Sequence, residues 1–159
     1  MEKKDLKYKI DNYEFHSRAS AIIYNADKTK VLLFKVDDGR DFYLLPGGRI
    51  QINEDSLSAI KREIKEEIGY DLDYKISSVN ENFLVKNKKN IMQYEFLYKA
   101  VYKGKIEKLD FECLDRAGQS FHWIELNELD NIKILPENIK KVIKKVDYNQ
   151  IHNILKGVI

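Results

Sequence analysis

The chain has 159 residues, 43% of them hydrophobic, and its 28 basic and 26 acidic residues leave a formal net charge of only +2. This length and composition predict a single compact domain over residues 1–159. The near balance of charge gives no electrostatic support for a nucleic acid or a membrane surface as partner. No apolar run reaches the roughly 18 residues that a membrane-spanning helix needs, and residues 1–10 are too charged for a signal peptide.

The cysteine content indicates a reducing environment. Cys113 is the only cysteine, so the chain cannot form an internal disulfide. We therefore expect a cytoplasmic protein in which Cys113 is a small core residue rather than a nucleophile.

The predicted elements describe a mixed fold. Apolar and β-branched runs bounded by turn residues indicate strands, whereas apolar residues spaced three and four apart indicate helices. In chain order, the sequence predicts strands at 18–24 and 30–36 joined as a hairpin, a short strand at 42–45, a helix at about 54–68, strands at 71–85, 91–102 and 121–125, a turn or helical start at 126–129, and a C-terminal helix at about 136–146.

The helix at 54–68 carries the most informative pattern. Its apolar residues recur at the helical period and form one predicted buried stripe, Leu57, Ile60, Ile64 and Ile68. Beside this stripe lie three carboxylates, Glu63, Glu66 and Glu67. Like charges one turn apart destabilise a helix by roughly 0.2–0.5 kcal/mol per pair, whereas a bound divalent cation turns the repulsion into coordination. Taken alone, the three carboxylates fit either a metal site or a solvated acidic face.

Residues 48–70 favour the metal site, because they resemble the Nudix box without a mismatch. The box reads Gly, five residues, Glu, seven residues, then Arg-Glu-apolar-x-Glu-Glu-x-Gly-apolar. The matching residues are Gly48, Glu54, Arg62, Glu63, Ile64, Glu66, Glu67, Gly69 and Tyr70. So long a match arises by chance in roughly one in a million chains of this composition. The resemblance to the Nudix hydrolase family, of the MutT type, extends over about residues 18–129.

The resemblance implies both a fold and a reaction. The fold is α+β, a Nudix-type α/β/α sandwich in which a mixed β-sheet lies against a catalytic helix and a C-terminal helix. The reaction is hydrolysis of a phosphoanhydride bond in a nucleoside diphosphate linked to another group, by metal-assisted attack of water on phosphorus.

The resemblance also assigns roles to the residues of the box. Glu63, Glu66 and Glu67 are the expected catalytic ligands of Mg²⁺, with Mn²⁺ as the alternative ion, and the Gly48 carbonyl is a further candidate ligand. Structural roles, outside direct contact with the metal, are expected for Glu54, Arg62 and Gly69. Gly69 lies where a helix C-cap belongs.

Two positions differ from many family members, which have Glu and Gly where this chain has Gln51 and Asn53. The missing carboxylate at Gln51 leaves the number of metal ions open. Asn53 either adopts a left-handed backbone in place of the glycine or caps the start of the helix.

The general base and the substrate contacts are less constrained by the motif. Glu112 is the favoured base, because the segment after it should return over the helix, and the alternatives are Glu107 and Glu95. Arg18 and Arg49 are the candidate substrate-binding arginines, and Arg116 is a more distant one. A base of the substrate is expected to stack on one of four aromatic rings, Tyr43, Phe83, Tyr94 or Phe96.

Two other functions compete with hydrolysis. A Nudix domain that binds a nucleotide without cleaving it is the main alternative, and the intact set of glutamates argues against it. An isomerase acting on an isoprenoid diphosphate typically needs a well-placed cysteine, and Cys113 lies outside the box. The expected partner is a small nucleotide-type diphosphate, with nucleic acid disfavoured, and the chain is expected to be a monomer or a homodimer.

Overall fold

The computed structural model describes residues 4–147 and 152–158, which form nine strands, two α-helices and one 3₁₀ helix. The strands are β1 Lys7–Ile10, β2 Tyr13–Asn25, β3 Lys30–Val36, β4 Gly47–Arg49, β5 Lys75–Lys86, β6 Lys89–Tyr102, β7 Asp110–Glu112, β8 Gln119–Glu125 and β9 His152–Val158. The helices are α1 Ser56–Ile68, the 3₁₀ helix Leu126–Asn131 and α2 Ile139–Lys144. None of the described helices has the length and apolar character needed to span a bilayer.

The strands form one mixed sheet in the order β7-β8-β3-β2-β6-β5-β9, and β1 and β4 also pair with β2. β2 runs parallel to β6 along its entire length, and β5 runs parallel to β9, whereas the other pairs are antiparallel. β2 is therefore the strand that joins the two halves of the sheet. The predicted hairpin of the first two strands is present as β2 and β3.

The alternation of side chains along β2 places an apolar core on each face of the sheet. On one face, Ala19 and Ala21 pack with Ile60 and Ile64 of α1. On the other face, Ile22 and Tyr24 pack with Ile139 and Ile143 of α2 and with Leu129 of the 3₁₀ helix. A sheet between two helical layers confirms the predicted α/β/α sandwich. Leu57, which we expected in the buried stripe, is instead 37% exposed.

Both ends of α1 are capped by specific residues. Asp55 accepts hydrogen bonds from the backbone N–H and the hydroxyl of Ser58, at 2.8 and 2.7 Å. Gly69 ends the helix with a φ of 81°, and its N–H donates to the carbonyls of Ile64 and Lys65. Asn53 has a φ of 65° and does not cap the helix, so the left-handed alternative is the right one.

The predicted strand at 42–45 is wrong. Tyr43 and Leu44 form only isolated bridges, to Ile134 and Phe34, and the strand β4 lies in the glycine-rich segment that follows. Gly47 and Gly48 pair with β2 there. A Cβ atom at Gly47 would overlap the backbone of Ala19, so only glycine permits this close approach.

Other boundaries moved for identifiable reasons. α2 is shorter than the predicted helix at 136–146, and it ends where Lys145 leaves the helical region with ψ of 73°. The predicted strand at 71–85 begins only at Lys75. Besides β4, three strands were not predicted, β1, β7 and β9, because they are short or rich in polar residues and pair at the margins of the sheet.

We predict that Asp55→Ala lowers the free energy of unfolding by about 1 kcal/mol, because it removes the N-cap acceptor of α1. Urea unfolding followed by circular dichroism measures the change. Asp55→Asn is the matched control, since asparagine is an equally good N-cap and should leave stability nearly unchanged. Equal losses in both variants would show that the carboxylate charge, rather than the cap, is what stabilises the helix.

Candidate active site

The three glutamates of the box lie on α1 in different environments. Glu63 and Glu67 are buried, at 7% and 4% exposure, whereas the side chain of Glu66 is 47% exposed. Glu63 and Glu67 are one turn apart, so α1 directs both toward β4 and β2, the strands it contacts. The sequence correctly placed the three carboxylates beside the buried stripe.

Gly48 on β4 allows the helix to approach the sheet at the site. A Cβ atom at this position would overlap the carboxyl group of Glu63, which lies directly over the backbone. The pairing of Gly48 with Ala19 holds β4 in register with the centre of β2. A side chain at this position would therefore displace the Glu63 carboxyl group from its place over β4.

Arg62 connects α1 to the loop before it. Its guanidinium donates to Glu54 through Nε at 2.7 Å and Nη2 at 3.0 Å, and to Glu63 through Nη1 at 2.7 Å. Nη2 also donates to the carbonyl of Arg49 on β4 at 3.1 Å. The hydrogen bonds to Glu54, despite the opposing effect of burial, raise the pKa of Arg62 well above its usual value. This network has the geometry expected of residues that hold the helix and the loop in place.

Glu67 has a buried carboxylate oxygen without a partner. Its Oε2 makes no hydrogen bond among the described residues. Burial first, and then the negative charge of Glu63, raise the pKa of Glu67 to about 8, with Asp115 adding to the rise and Arg18 opposing it. Burial and the neighbouring carboxylate of Glu63 both disfavour the ionised form of Glu67.

The chemistry of the donor set suits a hard divalent cation. Carboxylate and backbone carbonyl oxygens are ligands that Mg²⁺ prefers, and among the described residues the Glu67 Oε2 atom has no hydrogen-bond partner. The described residues include no group of three or more His, Cys, Asp or Glu side chains already arranged to hold a metal ion. In their present arrangement, Arg62 Nη1 bonds Glu63 and also lies 3.5 Å from Glu66.

The segment after β7 returns over the end of α1. The N–H of Leu114 donates to the backbone carbonyl of Glu67 at 2.8 Å. Cys113 is buried and its thiol donates to Asp115 at 3.0 Å. Burial raises the pKa of Cys113 to about 11, which keeps the thiol protonated and fits a core residue.

The candidate bases lie in three different places. Glu112 is an exposed residue at the end of β7, opposite Ser120 of β8, and Glu107 is exposed in the segment before β7. Neither has a resolved contact with the box glutamates. Glu95 points inward from β6 and is 6% exposed. Asp115, in the segment that returns over α1, is the acid of that segment whose charge raises the pKa of Glu67. The sequence did not single it out.

A cavity of about 440 Å³ lies on the α2 side of the sheet, and Leu44 and Leu45, just before β4, are among its lining residues. The floor is polar and the walls are apolar; among the lining residues are Arg18, Phe42, Asn82, Gln93, Glu95 and Pro136. Arg18 is held at its edge by hydrogen bonds to Ser20 Oγ at 2.8 Å and to the carbonyl of Leu45 at 3.1 Å. Apolar walls with a few polar groups are typical of small-molecule sites.

Arg49 does not line this cavity. Its guanidinium lies 3.3 Å from Asp5 and 3.5 Å from the buried Glu14. The structure therefore brings Arg18, and not Arg49, to the cavity. Arg116 lies in the returning segment, and its charge lowers the pKa of Glu67 slightly against the other influences.

None of the four aromatic rings that the sequence singled out lines the cavity. Tyr43 packs edge-on against His122, at 5.5 Å between ring centroids. Phe83 and Tyr94 are more than one third exposed on the opposite face of the sheet. The ring that lines the cavity is Phe42, with the Arg40 guanidinium 5.4 Å from its centroid.

Apart from Glu95, a candidate base, the polar residues on this face of β5 and β6 were missed by sequence reasoning. Asn80 and Asn82 on β5, and Gln93 and Glu95 on β6, are all at least 91% buried on one face. Their alternation with less buried neighbours is the available signal, since polar residues at the inward positions of a strand need a structural or functional partner. The pairing of β5 with β6 is what collects them into one surface.

Comparison with known proteins places this arrangement in a family. Residues 14–146 match the family model of the NUDIX domain. An 8-oxo-dGTP diphosphatase of Haemophilus influenzae is 28% identical over 144 residues, covering 86% of this chain and 94% of the relative. An RNA pyrophosphohydrolase of Pelagibacter ubique is 19% identical over 159 residues, covering 85% of this chain and 95% of the relative.

Solved structures agree on the fold. A MutT protein of Bacillus halodurans superposes with a TM-score of 0.64 at 18% identity, covering 86% of this chain and 85% of that one. The dihydroneopterin triphosphate pyrophosphohydrolase of E. coli has the same TM-score at 17% identity, with 81% and 92% covered. The family match over most of the chain, the fold and the intact box together show that this chain belongs to the NUDIX domain family and is a Nudix hydrolase, of the kind that generally uses a divalent metal ion.

Proposed function

We propose that Glu63, Glu66 and Glu67 hold the catalytic ion, that this ion is Mg²⁺, and that the carbonyl of Gly48 is a further ligand. Mn²⁺ is the alternative ion. The observation that carries the proposal is the buried Glu67 oxygen without a partner, on the helix face where Glu63 lies against Gly48. When bound, the ion would neutralise charge on the phosphate oxygens and make water acidic enough to attack phosphorus.

The residues around the glutamates have positioning roles in this proposal. Arg62 and Glu54 hold α1 against the loop, so the carboxylates keep a fixed direction. Arg18 lies between the two parts of the site, since it lines the cavity and its positive charge also acts on Glu67. We propose that Arg18 contacts a substrate phosphate and that Arg49, which is paired with Glu14, acts only indirectly.

We propose a nucleoside triphosphate as the substrate, with its base in the cavity and its phosphates over the box. The cavity volume suits a nucleotide base, and one relative is named for an action on 8-oxo-dGTP. The name of the other relative makes RNA ends the second substrate class to test, although the near-neutral charge of the chain disfavours long RNA. The single cysteine supports a cytoplasmic location, and we propose a monomer or a homodimer.

The proposed function is tested by a turnover screen with product identification, in Mg²⁺ and in Mn²⁺. The panel contains nucleoside di- and triphosphates, 8-oxo-dGTP, ADP-ribose, dinucleoside polyphosphates and 5′-triphosphorylated RNA. We expect metal-dependent release of a nucleotide and a phosphate product, abolished by EDTA and restored by Mg²⁺. Binding of a panel member without cleavage would instead favour a Nudix domain that binds a nucleotide but does not hydrolyse it. The panel member with the highest kcat/KM identifies the substrate class.

We predict that Glu66→Gln and Glu67→Gln each lower kcat by about 10²- to 10⁴-fold, because each removes a charged ligand of the ion. Steady-state kinetics in Mg²⁺ measures the loss, and a thermal melt confirms that the fold is intact. Glu128→Gln in the 3₁₀ helix is the matched control and should leave kcat unchanged. Native Mg²⁺-dependent activity in either box variant would contradict the assignment.

We propose Glu112 as the general base and predict that Glu112→Gln lowers kcat by more than about tenfold. Asp115→Asn is the matched comparison, since Asp115 is the acid of the returning segment whose charge reaches Glu67. A pH–rate profile of each variant shows whether the acidic limb is lost. A loss below tenfold in Glu112→Gln together with a larger loss in Asp115→Asn would move the role to Asp115.

A further inference from the structure

The floor of the cavity contains a buried oxygen atom without a hydrogen-bond partner. Asn82 on β5 lines the cavity and is only 2% exposed. Its Nδ2 donates to Gln93 Oε1 on β6 at 2.8 Å, whereas its Oδ1 has no partner among the residues that the structure describes. A buried acceptor left unpaired is destabilising, so this oxygen is suited to receive a donor from a ligand.

The orientation of this amide follows from a chain of hydrogen bonds that begins at Glu14 on β2. Burial alone would raise the pKa of Glu14, but the hydrogen bond and the charge of Lys7, 3.1 Å away, lower it to about 2. Three further basic side chains lie within 3.8 Å of its carboxylate, those of Lys9, Arg49 and Lys89. Glu14 is therefore an ionised carboxylate, which can only accept hydrogen bonds.

His16 transmits to Gln93 the constraint that Glu14 can only accept hydrogen bonds. Its Nδ1 lies 3.3 Å from Glu14 Oε1 and must donate the proton in that contact. Burial and the positive charge of Arg49 lower the pKa of His16 to about 4, so the ring is neutral near pH 7. In a neutral imidazole whose Nδ1 donates, Nε2 accepts. Gln93 Nε2, at 2.7 Å, is the donor to it.

The contact with His16 fixes the orientations of the Gln93 and Asn82 side-chain amides. Because Gln93 donates with its nitrogen to His16, its Oε1 is turned toward Asn82. Asn82, which lines the cavity, must then donate with Nδ2, and its Oδ1 is left as the unpaired acceptor among the described residues. The Glu14 carboxylate thus determines, through His16 and Gln93, which end of the Asn82 amide is left unpaired.

We propose that Asn82 selects the base of the substrate by accepting a hydrogen bond from a ring N–H, and that Glu14, His16 and Gln93 are positioning residues that keep its amide in this orientation. The inference rests on the proposed function, because it requires a nucleotide base in the cavity. Guanine and hypoxanthine carry such an N–H at position 1, whereas adenine has a lone pair there.

Glu95 reinforces the same preference. Its carboxylate lines the cavity and accepts hydrogen bonds from Ser20 at 2.8 Å and from Asn80 at 2.9 Å. Asn82 and Glu95 lie on the same face of the paired strands β5 and β6. Two acceptors side by side favour a base that has hydrogen-bond donors on its edge. They disfavour a base that presents a lone pair, because that lone pair would face an oxygen atom.

The test compares the dissociation constants of inosine and adenosine monophosphates by isothermal titration calorimetry. Neither ligand contains a phosphoanhydride bond, so binding is measured without turnover. The two bases have the same ring system and opposite hydrogen-bonding polarity at position 1. We expect the native chain to prefer inosine monophosphate by at least about tenfold, and Asn82→Leu to weaken its binding by about 10- to 100-fold while changing adenosine monophosphate by less than about threefold.

Substitutions at Gln93 test the positioning role separately. Gln93→Leu removes the hydrogen bonds to His16 and to Asn82 and so frees the Asn82 amide to turn. The preference for inosine monophosphate over adenosine monophosphate should then fall to less than about threefold. Gln93→Glu keeps an acceptor opposite Asn82 Nδ2, so the preference should survive. A merely structural role of Gln93 would not separate the two variants. Gln119→Leu on β8 is the matched control outside the cavity and should retain the native preference.

The outcomes are distinguishable from those of the proposed function. An unchanged preference in Asn82→Leu, equal preferences in the two Gln93 variants, or equal binding of both ligands by the native chain overturns the inference. Asn82→Ser gives the same readout where thermal melts show that Asn82→Leu is unfolded. Nucleotide hydrolysis without base preference leaves the proposed function in place, whereas a chain that neither binds nor hydrolyses any nucleotide contradicts both.

Discussion

The guanidinium of Arg62 is the group on which the geometry of the site depends. One planar fork of donors binds Glu54 twice, Glu63 once and the carbonyl of Arg49 once, and so ties together the loop, the helix and β4. These groups are largely removed from water, so each charge relies on the others for compensation. Lysine has the charge but not the fork, and it cannot make these bonds simultaneously. The place of Glu63 over Gly48 follows from this network and from the absence of a side chain at Gly48.

β2 links the proposed metal-binding part of the site with the cavity. Its residues alternate between the two faces, so Ala19 packs under α1 while Arg18 and Ser20 reach the cavity on the opposite side. The strand also carries Glu14 and His16, which begin the hydrogen-bond chain that ends at Asn82. One strand with parallel and antiparallel neighbours therefore carries both Arg18, the proposed phosphate contact, and the start of the hydrogen-bond chain to Asn82, the proposed base contact.

The box could be predicted from sequence because its residues are local. Glu63 and Glu67 are one helical turn apart, and Gly69 ends the same helix, so the helical period alone sets their relative directions. The prediction for 42–45 failed because β4 forms through pairing of glycines with a distant strand, a contact that local propensity does not report. α2 was predicted too long, since its end is set by contacts of Lys99 with the carbonyls of Lys145 and Val146. Leu57 fits the helical stripe yet lies at its exposed margin.

The sequence by itself determined the family, the box helix with its C-terminal cap at Gly69, and the positions of the three glutamates on one flank, because all of these depend on residues close together in the chain. Tertiary structure alone decided which arginine reaches the cavity, which aromatic ring lines it, and how Glu14, His16, Gln93 and Asn82 join into one chain of hydrogen bonds. The physical reason is that one group determines whether another donates or accepts a hydrogen bond only when the two are in contact. The contact between Gln93 and His16 spans 77 positions of sequence, across the parallel pairing of β2 and β6.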